Sequence, residues 1–431
     1  MHALISIVVF IVVISLVIWG RIHRFYAGLL GVVALLILGV LTPEDIIRYA
    51  DFNVACLLIG MGIIAYYMEK SGIAAWIAIK FVKKVGRDPF KSLYILSVVG
   101  SLISALLDNV STTILLAPIA INIARSMGVS IVPFVVGVAL GANLVGAALM
   151  IGDPPSMMVA SALDLSFTDF IVFKGKPSIF FIIMVAVPVA SATLLFTARS
   201  YIDKKNSNNN LVVPDEKQYL KDKVLIAEVI SVFTLVVILL SIRSTYNIPL
   251  WFPPLLGALL ITIMRIRRNN VLEPLRVSVD WLTIGFIVEM TILTGALYKT
   301  GVIDTLASYI HLYSRNNIVI ASSIIIWASV LISAFIDNIP YFATMIPLVV
   351  KLSEISGMNI YTLMWALLLG GSLGGNCTYI GAAANAVAVG IVEKNERKVT
   401  FVEFVKLGVP HTVTAVLIGQ ILHYILYILL P

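Results

Sequence analysis

Charge, cysteine and histidine are all scarce in this chain. Lys, Arg, Asp and Glu make up 12% of its 431 residues while 60% are apolar, against about 25% charged and 45–50% apolar in soluble domains. That excludes a water-soluble globule and leaves the bilayer as the solvent. The two cysteines, Cys56 and Cys377, both sit inside apolar stretches, so neither a disulfide framework nor a Cys-cluster metal site is expected. The five histidines (His2, His23, His311, His411, His423) are scattered, which removes a zinc or haem centre, and no cofactor is expected. A formal charge of +7 is no argument for nucleic acid, because Lys and Arg lie in short segments between apolar runs rather than on one face. The first apolar run, Ala3 to Trp19, lacks a basic leader and a small-residue cleavage pattern, so it is expected to stay as a membrane helix.

What the chain does have is apolar runs of spanning length. Ten lie near 3–19, 26–41, 53–68, 131–152, 178–198, 224–242, 251–264, 281–297, 360–380 and 410–430. Two further pairs of apolar arms, 92–107 with 110–124 and 318–336 with 339–352, are interrupted at Asp108-Asn109 and at Asp337-Asn338. The polar segment 201–223, with its Asn206-Ser207-Asn208-Asn209-Asn210 run, reads as a cytoplasmic linker between two halves, 1–200 and 224–431.

The halves match at one constant offset of 229 residues. Asp51 answers to Asp280, Lys70 to Lys299 and Gly72 to Gly301. Ser104-Ala105, Asp108-Asn109 and Pro118 answer to Ser333-Ala334, Asp337-Asn338 and Pro347, and Gly141, Gly146 and Gly152 to Gly370, Gly375 and Gly381. An offset held without a gap over about 100 residues marks an internal duplication.

Charge then gives each copy a direction. The segment 69–91 carries Lys70, Lys80, Lys83, Lys84, Arg87 and Lys91, while its counterpart 298–317 carries Lys299 and Arg315 alone. Conversely 265–280 holds Arg265, Arg267, Arg268 and Arg276, where the counterpart before Asp51 has Arg48. Positive charge marks the cytoplasmic side, so the copies face opposite ways and each must cross an odd number of times. Five spans plus one re-entrant hairpin per half satisfy this, and place 23 of the 30 Lys and Arg residues on the cytoplasmic side, with both termini outside. A single broken span over 92–124 would be about 50 Å long, too long for a core of about 30 Å. Twelve full spans in parallel repeats would leave the charge exchange unexplained. The expected class is therefore an all-α integral membrane protein with about ten transmembrane helices and two re-entrant hairpins in two inverted repeats, multi-pass in the plasma membrane. The composition leaves a homodimer open.

Acids inside the membrane point to chemistry, since a carboxylate in hydrocarbon costs at least about 2.5–3.5 kcal/mol and needs a cavity or a partner. Asp108 with Asn109, Ser111 and Thr112, and Asp337 with Asn338, sit at the hairpin tips, where carboxylate, amide and freed carbonyl oxygens suit Na⁺ or a relayed proton. Two Na⁺ sites are expected there, at Asp108/Asn109 and Asp337/Asn338; helix capping alone is the plainer use of the same residues. Two Gly-rich helices break at matching points. Asn143, Asp153 and Ser156 on one, and Asn376, Thr378 and Asn385 on the other, are expected to line the substrate cavity. Asp153 has Ala382 as its counterpart, so it is the candidate for an unpaired proton carrier. Cys377 reads as a small apolar filler. The stretch Ile73 to Val85 reads as an interfacial helix.

At these residues the sequence resembles the ion transporter superfamily, in the group of ArsB-type arsenite permeases, NhaD-type sodium/proton antiporters and the P protein, and shares the citrate-transporter-like domain. The motifs that carry the resemblance are Ser104 to Val110, Gly141 to Pro155, Ser333 to Pro340, and Gly374-Gly375-Asn376 through Gly381 to Asn385. It implies a scaffold with two opposed hairpins and two discontinuous helices, and alternating access coupled to H⁺ or Na⁺. The sodium/dicarboxylate symporters carry Ser-Asn-Thr at the tips; Asp in that place argues against a carboxylate. Because the acids expected at the midplane (Asp108, Asp153, Asp337) have no Lys or Arg within the tips or breaks, extrusion of neutral arsenite or antimonite in exchange for protons is the leading expectation. Sodium/proton exchange comes second and carboxylate symport third. An ion channel fits broken helices poorly, and an intramembrane aspartyl protease needs two apposed carboxylates that the duplicated Asp-Asn pairs do not suggest. No enzyme activity is expected.

Overall fold

The computed structural model describes residues 1–85, 88–105, 107–202, 220, 222–266 and 273–430. Most of the expected linker 201–223 therefore lies outside the described residues, as do Leu106, Arg87, Arg267 and Arg268.

The first half contributes α1 (His2–Trp19), α2 (Arg24–Ile37), α3 (Pro43–Tyr49), α4 (Phe52–Ser71), α5 (Ile73–Val85), α6 (Pro89–Ser104), α7 (Asn109–Ser126), α8 (Val132–Gly146), α9 (Pro154–Ala162), α10 (Ile179–Thr197) and the short α11 (Arg199–Ile202). The second half contributes α12 (Lys223–Tyr246), α13 (Phe252–Arg265), α14 (Glu273–Val277), α15 (Trp281–Lys299), α16 (Val302–Ser314), α17 (Ile318–Ser333), α18 (Asn338–Ser356), α19 (Ile360–Gly374), α20 (Ala383–Asn395) and α21 (Phe401–Tyr424). Adding 229 to the bounds of α5 and α6 gives the bounds of α16 and α17 to the residue. The local signals repeat too. Asp51 caps α4 through Val54 N–H at 3.2 Å and Asp280 caps α15 through Thr283 N–H at 3.0 Å. Gly72 and Gly301, at φ 75° and 77°, supply the left-handed residue that separates each long helix from the next.

By length and apolarity seven of the described helices suffice to cross a membrane, one of them the hairpin arm α18. The remaining crossings are short, as in α2 and α13, or split, as in α8–α9 and α19–α20, which gives ten spans.

Glycine contacts fix the hairpins. A Cβ on Gly137 would meet Leu93 and one on Gly141 would strike Ser97 O at 2.3 Å, so α6 and α8 advance in parallel. α7 runs against α8, because Asn109 at its start hydrogen-bonds Asn143 near the end of α8 and the short connection 127–131 joins its end to the start of α8. Hence α6 and α7 fold back on each other at the tip that carries Asp108. In the other half a Cβ on Gly370 would strike Ile326 O at 2.3 Å and one on Gly375 would approach Asn338 Oδ1 at 3.1 Å, which gives the same hairpin in α17–α18.

The repeats are inverted. Asp51 N–H, at the start of α4, donates to Thr291 on α15, whereas Gly62, farther along α4, lies against Ser278, just before α15. Equivalent helices thus run in opposite directions. At the centre every residue of α8 is buried, as is α19 from Thr362 to Gly374, the signature of helices surrounded by protein on all sides. Leu4, Ile11 and Trp19 on α1 stay exposed, as a lipid-facing helix requires.

Candidate functional site

Where the two hairpin tips and the two broken helices converge, they enclose a cavity of about 350 Å³ that α4 and the start of α15 complete. Asp108, Asn109, Ser111, Asn143, Asp153, Asp337 and Asn338 all line it, so seven of the twelve residues singled out in the sequence meet in one place.

Each tip acid does two jobs. Asp108 Oδ1 accepts from Ser111 N–H at 2.8 Å and Asp337 Oδ1 accepts from Ile339 N–H at 3.1 Å, so both cap the second arm of their hairpin. The second carboxylate oxygen is left for other partners. Asn109 ties its tip to the broken helix: its Oδ1 accepts from Ser104 Oγ at 2.8 Å and its Nδ2 donates to Asn143 Oδ1 at 3.0 Å. In the other half Ser333 Oγ lies 2.6 Å from Asn338 Oδ1 and 2.6 Å from Gly371 O.

Asp153 opens α9, where Pro154 and Pro155 suit the first helical positions. Its Oδ1 accepts from Ser156 N–H at 2.9 Å, while its Oδ2 is buried with no hydrogen-bond partner. The residue is 3% exposed. The break that admits it needs glycine, for a Cβ on Gly152 would sit 2.4 Å from Gly146 O.

Five of the expected site residues, four at the breaks and Thr112 at the first tip, are placed outside the cavity lining. Thr112, Ser156, Asn376, Thr378 and Asn385 are 0–3% exposed and do not line the cavity. Asn376 Nδ2 donates to Leu140 O at 2.9 Å, Asn385 Nδ2 to Asn376 Oδ1 at 3.0 Å, Thr378 Oγ1 to Ala334 O, and Ser156 Oγ to Gly146 O at 3.4 Å. Where a helix unwinds inside a membrane its peptide groups need partners, and these side chains supply them. They brace the breaks and do not line the cavity.

The tips and breaks carry no base, but a neighbouring helix brings one to the cavity. Arg24, the first residue of α2, lines it and donates from Nη1 to Asp337 Oδ2 at 2.7 Å and from Nη2 to Thr283 Oγ1 at 2.6 Å. Thr283 in turn donates to Asp280, a fourth acid of the lining. Both Asp337 oxygens are thus engaged, Oδ1 by the helix cap and Oδ2 by the guanidinium. No spacing rule could have found Arg24, whose counterpart is Pro253 and whose place at the start of a span reads as a topology signal. Glu289, a lone acid in the apolar run 281–297, is buried outside the cavity lining.

A second cavity of about 270 Å³ lies on the opposite side, lined by Tyr49, Asp51, Thr291 and Thr294 among others. These four are the counterparts, at the constant offset, of Ser278, Asp280, Gly62 and Ala65, which line the first cavity.

The profile of citrate transporters (CitMHS) matches residues 14–370. The chain belongs to the citrate transporter family. An uncharacterized transporter of Mycobacterium tuberculosis is 32% identical over 99% of this chain and 99% of its own length. The 46 kDa membrane protein of Mycobacterium leprae is 31% identical over 99% and 100%. The human P protein is 25% identical over 95% of this chain and 58% of its own. The fold of this citrate transporter family member is shared with two solved transporters. One is MtrF of Neisseria gonorrhoeae, described as one of a class of antimetabolite efflux pumps (TM-score 0.60, 14% identity, 92% of this chain and 85% of that one). The other is YdaH of Alcanivorax borkumensis (TM-score 0.58, 12% identity, 89% and 86%). The chain is thus a multi-pass membrane transporter of the inverted-repeat kind.

Proposed function

We propose that this protein is a proton-coupled carrier of the plasma membrane that exports a small neutral oxyacid of the arsenite and antimonite class. One observation carries the reading: a carboxylate, Asp153, buried at the break of a helix inside the cavity with one oxygen unpartnered. Such a group is suited to gain and lose a proton as the cavity changes sides. Among the described residues the lining has one base, Arg24, against four acids, Asp108, Asp153, Asp280 and Asp337, and the base is already engaged by one of them. A multiply charged anion would meet uncompensated negative charge, whereas a neutral hydroxide would find carboxylate and amide oxygens and the Asn143 and Ser111 side chains.

Arg24 also favours a second reading, symport of a citrate-type carboxylate, the substrate for which the family is named. Protonation of Asp337 would free the guanidinium for a substrate carboxylate. Sodium/proton exchange would draw on the same acids. Purified protein in proteoliposomes under an imposed pH gradient, offered arsenite, Na⁺, and citrate with and without Mg²⁺ in parallel, separates the three. Arsenite flux that responds to the gradient is the expected result. Citrate flux in the absence of arsenite and Na⁺ flux would replace it with the second reading.

A further inference from the structure

Glu289 sits in the middle of α15, 7% exposed, with Oε2 buried and without a hydrogen-bond partner. Its carboxyl group fills the space left by Gly28 on α2, where a Cβ would stand 2.3 Å from Oε2. Packing does not require an acid there, and the duplication provides the control. The counterpart of Glu289 is Gly60 on α4, which closes directly on the backbone of Pro254 in α13, with a would-be Cβ 2.4 Å from Pro254 C. One half of the molecule therefore packs the same helix pair with no ionisable group.

What the acid faces is one turn from Arg24. Gly28 is four residues on from Arg24, so the two share a face of α2. On α15 the guanidinium carbon of Arg24 lies 5.8 Å from the ring centre of Phe286, three residues before Glu289 and on the same side of the helix. Arg24 is held at present by Asp337, on the tip of a hairpin, and by Thr283, on α15 itself. If that tip withdraws from α2, the guanidinium keeps Thr283 and loses its carboxylate.

We infer that Glu289 is the second counter-ion of Arg24, a buried carboxylate site that takes over the guanidinium when the Asp337 tip moves away. In the present state Glu289 Oε2 has no hydrogen-bond partner and Asp337 balances the guanidinium; when Arg24 turns to Glu289, that carboxylate takes the place of Asp337. This rests on the carrier reading proposed above, but not on any substrate.

The test uses full-length protein in proteoliposomes with Cys56 and Cys377 replaced by alanine, and a membrane-impermeant maleimide. S278C, in the lining of the first cavity, reports that side, and A343C, 3% exposed in the wall of the second, reports the opening of the other. E289Q, equal in shape and unable to balance a guanidinium, is expected to slow A343C labelling at least tenfold and leave S278C labelling unchanged. E289D, which keeps the charge, is expected to stay within threefold of the Glu289 protein. A343C labelled at the same rate in E289Q as in the Glu289 protein overturns the inference, as does E289D as slow as E289Q. If A343C is never labelled with Glu289 in place, the second side does not open, and the carrier reading falls together with the exchange.

Discussion

Asn143 donates a hydrogen bond at 3.2 Å to the carbonyl oxygen of Ser372, its own counterpart 229 residues on. Equivalent residues of two inverted copies can touch only where the copies meet, so this bond marks the pseudo-twofold axis. The same Asn143 amide lies 3.1 Å from Asn376 Oδ1, and its carbonyl accepts from Asn109 of the first hairpin tip. The breaks, a tip and the axis are therefore one connected network. Asp153 lies in that neighbourhood without a counterpart, because the second copy has Ala382 in its place.

The first prediction concerns that asymmetry. D153N keeps the acceptor that Ser156 N–H requires but cannot carry a proton, so the protein should fold and insert while flux driven by a pH gradient falls on the order of a hundredfold, about 2.7 kcal/mol of lost coupling. D108N and D337N should behave likewise, with capping preserved. Wild-type flux in all three variants would reduce these acids to helix caps.

Topology provides the second. Lys80 and Tyr309 are counterparts on α5 and α16, so K80C should be labelled only from the cytoplasm and Y309C only from outside. Labelling of both from one side would contradict the inversion that the antiparallel course of α4 and α15 shows.

Stability should follow the glycine contacts. G152A and G381A each drive a Cβ to 2.4 Å from a backbone oxygen, of Gly146 and Ser333 respectively, and should lower stability by roughly 1–3 kcal/mol or more, read as melting temperature in detergent. G390A, in the interior of α20 with nothing within 4 Å of its Cβ, should be neutral or stabilise by up to about 1 kcal/mol. Equal effects at the three positions would mean that the breaks tolerate side chains.

A surface pair gives a pH dependence of defined sign. The hydrogen bond from Lys299 Nζ, with help from Thr42 N–H, holds the Asp45 carboxyl well below its usual range, at about 2. The group is depressed in the folded state, so its contribution is fully present above the unfolded value of about 3.9 and is lost as pH falls toward 2. D45N should therefore melt below wild type at pH 6, and the gap should narrow between pH 4 and pH 2. A gap that is constant over that interval would rule out the ion pair as its source.

The sequence by itself determined the class, the duplication and the tips. Apolar run length and a 229-residue offset are properties of the chain as a line, and Asp108 and Asp337 interrupt apolar arms wherever those arms end up. It also exposed the glycines of the breaks, since close backbone approach leaves no alternative residue. Tertiary structure decided which polar groups face the cavity and which serve the backbone. Asn143 and Asn376 have the same chemistry, nearly the same setting in the sequence and each an amide bonded to a backbone oxygen, of Ser372 and of Leu140, yet only the first lines the cavity. It also decided where charge is balanced: Arg24 and Asp337 lie 313 residues apart, and Gly28 reads as ordinary until α2 lies against Glu289. Spacing along a chain encodes neighbours on one helix; partners on different helices are set by how the helices pack, and that information appears only in three dimensions.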